Sequence, residues 1–184
     1  MSLNKIERPQ NEKELFIYRY PLLNETLEMG TTIVVNENEV VVLVKNGKVF
    51  DVFPHGEHKL STETMPLLTA HMSLRKHDVF KCDIYFVSLF TYQNLKWAMV
   101  NSIVLRDNTF GSVAIKASGN FSFRIFNVSL FMNNLFGKIT EFNNEDISSY
   151  LRNLIVTGPK NQSSVFLYSF LRIPGYFSSR YSSR

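Results

Sequence analysis

Cysteine occurs once, at Cys82, and tryptophan once, at Trp97, in a chain of 184 residues. A lone cysteine excludes an internal disulfide framework and any metal site built from several cysteines. The eight glycines form no Gly-x-Gly-x-x-Gly fingerprint, no phosphate-binding loop and no Gly-x-Ser-x-Gly elbow, so nucleotide binding and serine-hydrolase chemistry have no support. Long apolar runs are missing as well. Nothing reaches the roughly 18 to 20 consecutive apolar residues that span a bilayer, and the stretch from Met1 to Asn11 is polar instead of resembling a signal peptide. The expectation is a cytoplasmic protein, in which the Asn-x-Ser/Thr matches at Asn24, Asn120, Asn127 and Asn161 are chance.

Acidic residues are absent from 158–184, and this absence explains the net charge of +4. Residues 1–157 hold 16 Lys/Arg and 16 Asp/Glu, so the body is neutral and the excess belongs to Lys160, Arg172, Arg180 and Arg184. What the chain has in plenty is aromatic residues, with 16 Phe and 8 Tyr, within a hydrophobic content of 45%. That composition favours strands and supplies one core, predicting a single β-rich α+β domain with tails. The boundaries read as a polar tail at 1–10, the domain at 11–157 and an aromatic, basic tail at 158–184.

Glu14 to Tyr20 reads as an edge strand ending at Pro21. Thr31–Val35, Glu39–Val44 and a third strand at Val49–Phe50 follow, with Asn46-Gly47 as a type I′ hairpin turn, and are predicted to pair antiparallel in sequence. A short strand is expected from Gly56 to Leu60, a short element at Leu67-Leu68, and one long strand from Val79 to Phe90. Further strands are read at Leu95–Met99 and Ser102–Leu105. A second hairpin, 111–117 with 120–126, is expected to turn at Ser118-Gly119. Two helices follow. Asn127 caps a stripe of Val128, Phe131, Met132 and Leu135 that stops at Gly137, and Asn144 caps a stripe of Ile147, Tyr150, Leu151, Leu154 and Ile155 that stops at Gly158-Pro159.

Few constellations offer chemistry. His55-Gly56-Glu57-His58 puts two imidazoles and a carboxylate in one turn, but a metal needs a third or fourth ligand that only His71, His77, Cys82 or distant carboxylates could give. The bland reading, a polar hairpin end, is preferred. Cys82 reads as a packing residue, and Asp78 with Asp83 cannot share a site because positions five apart in a strand face opposite ways. No catalytic group, metal or cofactor is therefore assigned. The tail is the remaining feature: Phe166, Tyr168, Phe170, Arg172, Tyr176 and Phe177 form an interaction candidate. Packing against the domain or a second subunit is preferred there, with shallow contact to an anionic membrane as the alternative and nucleic acid disfavoured.

Several stretches together resemble one family. ELFIYRYP, MGTTIVVNENEVVVLVKNGKVFDVFPHGEHKLSTETMPLL, DVFKCDIYFVS with LKW, and VAIKASGNFSFRI before FNVSLFMNNLFG are similar to the SPFH (stomatin, prohibitin, flotillin; band 7) superfamily, nearest its bacterial virion-core-protein-like branch. The resemblance implies an α+β domain with a curved antiparallel β-sheet and packed short helices. It also implies non-catalytic scaffolding as a homo-oligomer, with a membrane-associated protein partner at the inner face of the membrane. The long coiled coil and zinc ribbon of such proteins have no counterpart here: no heptads follow Gly158-Pro159, and no cysteine pairs exist.

Overall fold

The computed structural model describes residues 5–75, 78–116, 118–136 and 144–157. The fold is mixed α+β, mainly antiparallel strands with three short helices among the described residues. The chain divides into two compact units, residues 1–90 with 127–147 and residues 91–126 with 148–184.

The first unit is built round strand β5 (Glu39–Lys45). It sits between the partners β9 (Asp83–Ser88) and β6 (Lys48–Phe53), and the edge strand β2 (Ile17–Arg19) completes the order β2-β9-β5-β6. All four run antiparallel. The Asn46-Gly47 turn forms as expected, with φ of 52° and 69° at its two residues, which is the left-handed geometry a two-residue hairpin needs. Because β5 has neighbours on both edges and layers on both faces, Val40 through Val44 are all buried. On one face Val41 and Leu43 join Phe53, Ile84 and Phe86 in the main core. Towards the other lies helix α2 (Val128–Leu135), packed on β6, with the Phe136 ring edge-on to Tyr85 of β9 at 5.7 Å.

A second, three-stranded sheet holds β1 (Lys5–Glu7), β4 (Thr32–Val35) and β7 (Gly56–Lys59). Here the sequence reading needs correction. β4 does not pair with β5; it turns away at residues 36–38 and pairs antiparallel with β7 and parallel with β1, the one parallel ladder among the described strands. Residues 5–8, placed in a polar tail by their composition, include Ile6, which is wholly buried, and the buried Arg8. The run from Val79 is likewise divided. β8 (Val79–Lys81) pairs with β3 (Thr26–Glu28), whereas β9 after Cys82 joins the four-stranded sheet.

Leu67-Leu68 lies in a helix, α1 (Pro66–Met72), seven residues long. A helix this short is not self-sustaining, and the residue before it, Met65, offers no capping side chain. The cap comes from elsewhere: the buried carboxylate of Asp51 on β6 accepts from the Leu67 and Leu68 amides at 3.2 and 2.9 Å. Proline at its first position loses nothing there, since that amide has no partner in the helix.

α2 follows its sequence signature. Asn127 Oδ1 accepts from the Leu130 amide at 3.0 Å, and Val128, Phe131, Met132 and Leu135 are buried. The helix α3 (Asn144–Thr157) also forms, with Ile147 and Leu151 buried. Asn144 is its first residue. Its side chain bridges to the strand entrance, accepting from the Phe16 amide at 2.7 Å and donating to the Glu14 carbonyl. Gly137 and Gly158-Pro159, expected as helix stops, lie outside the described residues.

The second unit differs most from expectation. Ser118-Gly119 is not a turn; it begins β13 (Ser118–Phe123), which pairs antiparallel with β10 (Tyr92–Ala98). Between them, β11 (Ile103–Asp107) pairs with β12 (Gly111–Ile115). The true reversal is at Asp107 to Gly111. Asp107 Oδ1 accepts from both the Thr109 and Phe110 amides, at 2.8 and 2.9 Å, and Gly111 takes a φ of 73°. A side-chain acceptor two and three residues back, followed by a glycine in the left-handed region, outcompetes a serine-glycine pair with no such acceptor. The two ladders thus nest as one long two-stranded ribbon. Trp97 lies opposite Gly119, where the ring can cover backbone that glycine leaves bare, and Tyr92 stacks on Phe123 at 5.2 Å.

Candidate functional site

The imidazoles singled out in the sequence lie in the turn between β6 and β7, and each has a backbone partner. His55 Nδ1 sits 2.9 Å from the Val35 carbonyl, and His58 Nε2 sits 2.8 Å from the Pro54 carbonyl, so each of these nitrogens carries the proton and donates. The His58 ring also lies against Phe53, with centroids 5.2 Å apart. The lone pair of each ring is thereby left on its other nitrogen, His55 Nε2 and His58 Nδ1. Among the described residues, no group of three or more His, Cys, Asp or Glu side chains is placed to hold an ion.

Two adjoining surface clefts in the first unit share Glu25 and Asp83. One, about 230 Å³, is lined by Val44, Lys45, Lys81 and Cys82 among others; the other, about 280 Å³, by Arg19, Tyr20, Pro21 and Leu22. The acidic groups are engaged: Arg19 reaches Asp83 Oδ1 through Nε at 3.1 Å and Nη2 at 2.5 Å, and lies 3.5 Å from Glu25. The hydrogen bond to Asp83 raises the Arg19 pKa further. Burial pushes the Cys82 thiol from 9.0 up to about 12, reinforced by Asp83 and opposed by Lys45, so it stays protonated and unreactive near neutrality. Burial likewise raises Tyr85 to about 12. These ionisations move away from neutral pH, whereas an acid or base in turnover needs its pKa brought towards it.

Deeper in the same unit, Arg8 and Glu39 form an ion pair at 3.3 Å, 3% and 6% exposed. The guanidinium also donates to the Glu12 and Leu15 carbonyls, while Glu39 Oε1 accepts from the Asn36 amide and side chain. Each guanidinium nitrogen and each carboxylate oxygen has a partner, which is the condition for keeping a buried pair without a large penalty. Its work is structural, fastening the segment after β1 over the start of β5. Neither residue stood out in the sequence; a charge beside an alternating strand carries no signal that it will be buried.

In the second unit the notable feature is apolar exposure. Val100, Val104, Leu105 and Phe110 are 89%, 65%, 51% and 80% exposed, all within the connection, strand and turn of the distal ribbon. Consecutive strand residues face opposite ways, so Val104 and Leu105 expose apolar surface on both sides. Cross-strand, Leu105 meets Val113 and Val104 meets Ala114. The interaction candidates Phe166, Tyr168, Phe170, Arg172, Tyr176 and Phe177 lie outside the described residues.

With the two units and their strand order established, the comparison with protein families is decisive. The profile of the SPFH domain-Band 7 family matches residues 17–165, most of the chain. The chain belongs to the SPFH domain-Band 7 family. No curated protein and no solved structure matches it significantly. SPFH domains generally serve as non-enzymatic scaffolds, commonly oligomerise and associate with membranes. No helix among the described residues of this SPFH domain is long and apolar enough to cross a membrane.

Proposed function

We propose that this SPFH domain is a non-catalytic scaffold that associates with copies of itself and with a membrane-associated protein partner, at the cytoplasmic face of a membrane. The observation that carries the reading is the family match over residues 17–165. The local chemistry agrees with it: the paired carboxylates beside Cys82 are held by Arg19, and the thiol there stays protonated. The domain proper is assigned to 11–157, with β1 added at its N-terminal side and the basic, aromatic segment 158–184 after it. Its likeness to the virion-core-protein-like branch belongs to the same proposal.

Within this reading Phe166, Tyr168, Phe170, Arg172, Tyr176 and Phe177 form a contact surface, because nine of the thirteen positions from 165 to 177 are apolar or aromatic and exposure together would be costly. Light scattering on the full chain tests self-association. Masses well above the 21.3 kDa of one chain are expected at micromolar concentration. A single-chain mass across the accessible concentration range would refute it. Replacing Phe166, Phe170 and Phe177 by serine is expected to lower the mass; an unchanged mass with lost binding to anionic vesicles would instead make that segment a membrane contact.

A further inference from the structure

The distal ribbon is an unusual object for a protein surface. β11 and β12 pair only with each other among the described strands, and an isolated two-stranded hairpin is marginal in water unless something packs on it. Its composition does not resemble a solvated ribbon. Val104 and Leu105 are exposed on opposite faces, Val100 stands almost free in the connection from β10, and Phe110 projects at the turn. A protein partner docking on a sheet covers one face. Apolar groups on both faces and at the tip call for surroundings that are apolar on all sides.

The turn is built to present Phe110. Both the Phe110 and Thr109 amides donate to Asp107 Oδ1, which fixes the reversal and uses the one carboxylate of the ribbon in local hydrogen bonds. These bonds hold Asp107 below the usual carboxylate range. Against that single negative charge, residues 92–123 carry Lys96, Arg106 and Lys116. The ribbon is therefore cationic along its length and aromatic at its end, complementary to an anionic headgroup layer above an acyl boundary.

We propose that the distal ribbon, Val100 to Lys116, is a lipid-surface wedge that enters the interfacial zone of an anionic bilayer with Phe110 leading and with Arg106 and Lys116 on the headgroups. The inference rests on the reading of this domain as one that works at a membrane, and it names the surface. Arg106 and Asp107 beside the tip keep insertion shallow, since charged groups remain at headgroup level.

The test uses the full chain and vesicles of phosphatidylcholine with a quarter phosphatidylglycerol, compared with pure phosphatidylcholine. Binding is measured by flotation, and mass by light scattering in parallel. The wild-type chain should bind the anionic vesicles, less at high salt, and F110D should bind about tenfold or more weakly with its melting temperature and mass unchanged. Because Trp97 is the only tryptophan, a W97F/F110W chain reports on the tip alone; its emission should shift blue on binding and be quenched by brominated acyl chains. Equal binding by F110D, with no quenching, overturns the wedge and puts the contact elsewhere. If F110D splits an oligomer but keeps vesicle binding, the ribbon joins copies of the chain and the wedge is wrong. Self-association without vesicle binding overturns the wedge and leaves the scaffold reading standing, whereas a monomer that binds no vesicles overturns both.

Discussion

Strands β5 and β11 use the same kinds of residue and meet opposite fates. Glu39–Lys45 reads EVVVLVK, and its first six residues are buried; Ile103–Asp107 reads IVLRD, and all but Ile103 are exposed. Strand propensity does not separate them, because Val, Leu and Ile dominate both. What separates them is the number of neighbours: β5 is hydrogen-bonded on both edges, to β6 and β9, and β11 only to β12. Burial is thus a property of where a strand is placed and not of its residue types alone.

The largest test of that contrast is truncation of a phenyl ring in each place. Phe86→Ala, in the fully buried core, should cost about 3–5 kcal/mol, whereas Phe110→Ala should change stability by less than about 0.5 kcal/mol, both measured by urea unfolding. Comparable losses would break the comparison, because the ribbon tip would then be packed.

Next in size is the buried ion pair of the first unit. Arg8→Ala strands the Glu39 carboxylate and two carbonyls and should cost about 3–5 kcal/mol at most, while Arg8→Met with Glu39→Leu should recover much of it. A double-mutant cycle reads the difference. Exposed charges on the ribbon, such as Arg106, should show no comparable coupling.

Smaller again is the helix cap. Asp51→Ala leaves the Leu67 and Leu68 amides without their acceptor and should cost about 1–2 kcal/mol, with amide exchange in α1 accelerated. Asp107→Ala removes a similar two-amide acceptor from an exposed turn. It should leave the melting temperature almost unmoved and fray only residues 107–111.

The last test is alkaline pH. Cys82 and Tyr85 ionise in the unfolded chain from their ordinary 9.0 and 10.0, but in the folded state only near 12. Folded pKa values above unfolded ones give stability that is complete below pH 9 and lost as pH rises towards 12. Cys82 should resist thiol reagents at pH 8 until denaturant is added. Rapid labelling of the native chain would show the first unit opens more readily than its packing implies.

The parts legible in the sequence were those encoded by neighbouring residues. Asn46-Gly47 carries its turn in its own φ preferences, and the Asn127 cap with its apolar stripe is complete within nine positions. Family resemblance was legible because strand order and punctuation run through most of the chain. The misreadings have a common cause in distant partners. Nothing near Thr32 says that it pairs with Lys5 and Lys59, and nothing near Leu67 says that Asp51 caps the helix. Ser118-Gly119 lost to Asp107 because strand residues on both sides can support either turn, and a side-chain acceptor decided it. The exposed ribbon was not anticipated either, since alternation marks a strand but not its number of neighbours.

The parallel pairing of β1 with β4, and the Arg8 to Glu39 contact 31 positions along the chain, also set a timetable for synthesis. The segment around Arg8 is made before Glu39 but cannot be fastened until Glu39 has followed it. β2 waits longer, because β9, which lies between it and β5, ends at Ser88. At about 5–20 residues per second, that interval lasts several seconds, during which Ile17 and the valines of β5 have no finished sheet to enter. Within the four-stranded sheet, the β5–β6 hairpin can close early, through its local turn. The nascent chain therefore exposes its future core for as long as ribosomes take to reach β9, and this is the interval in which chaperones would meet it.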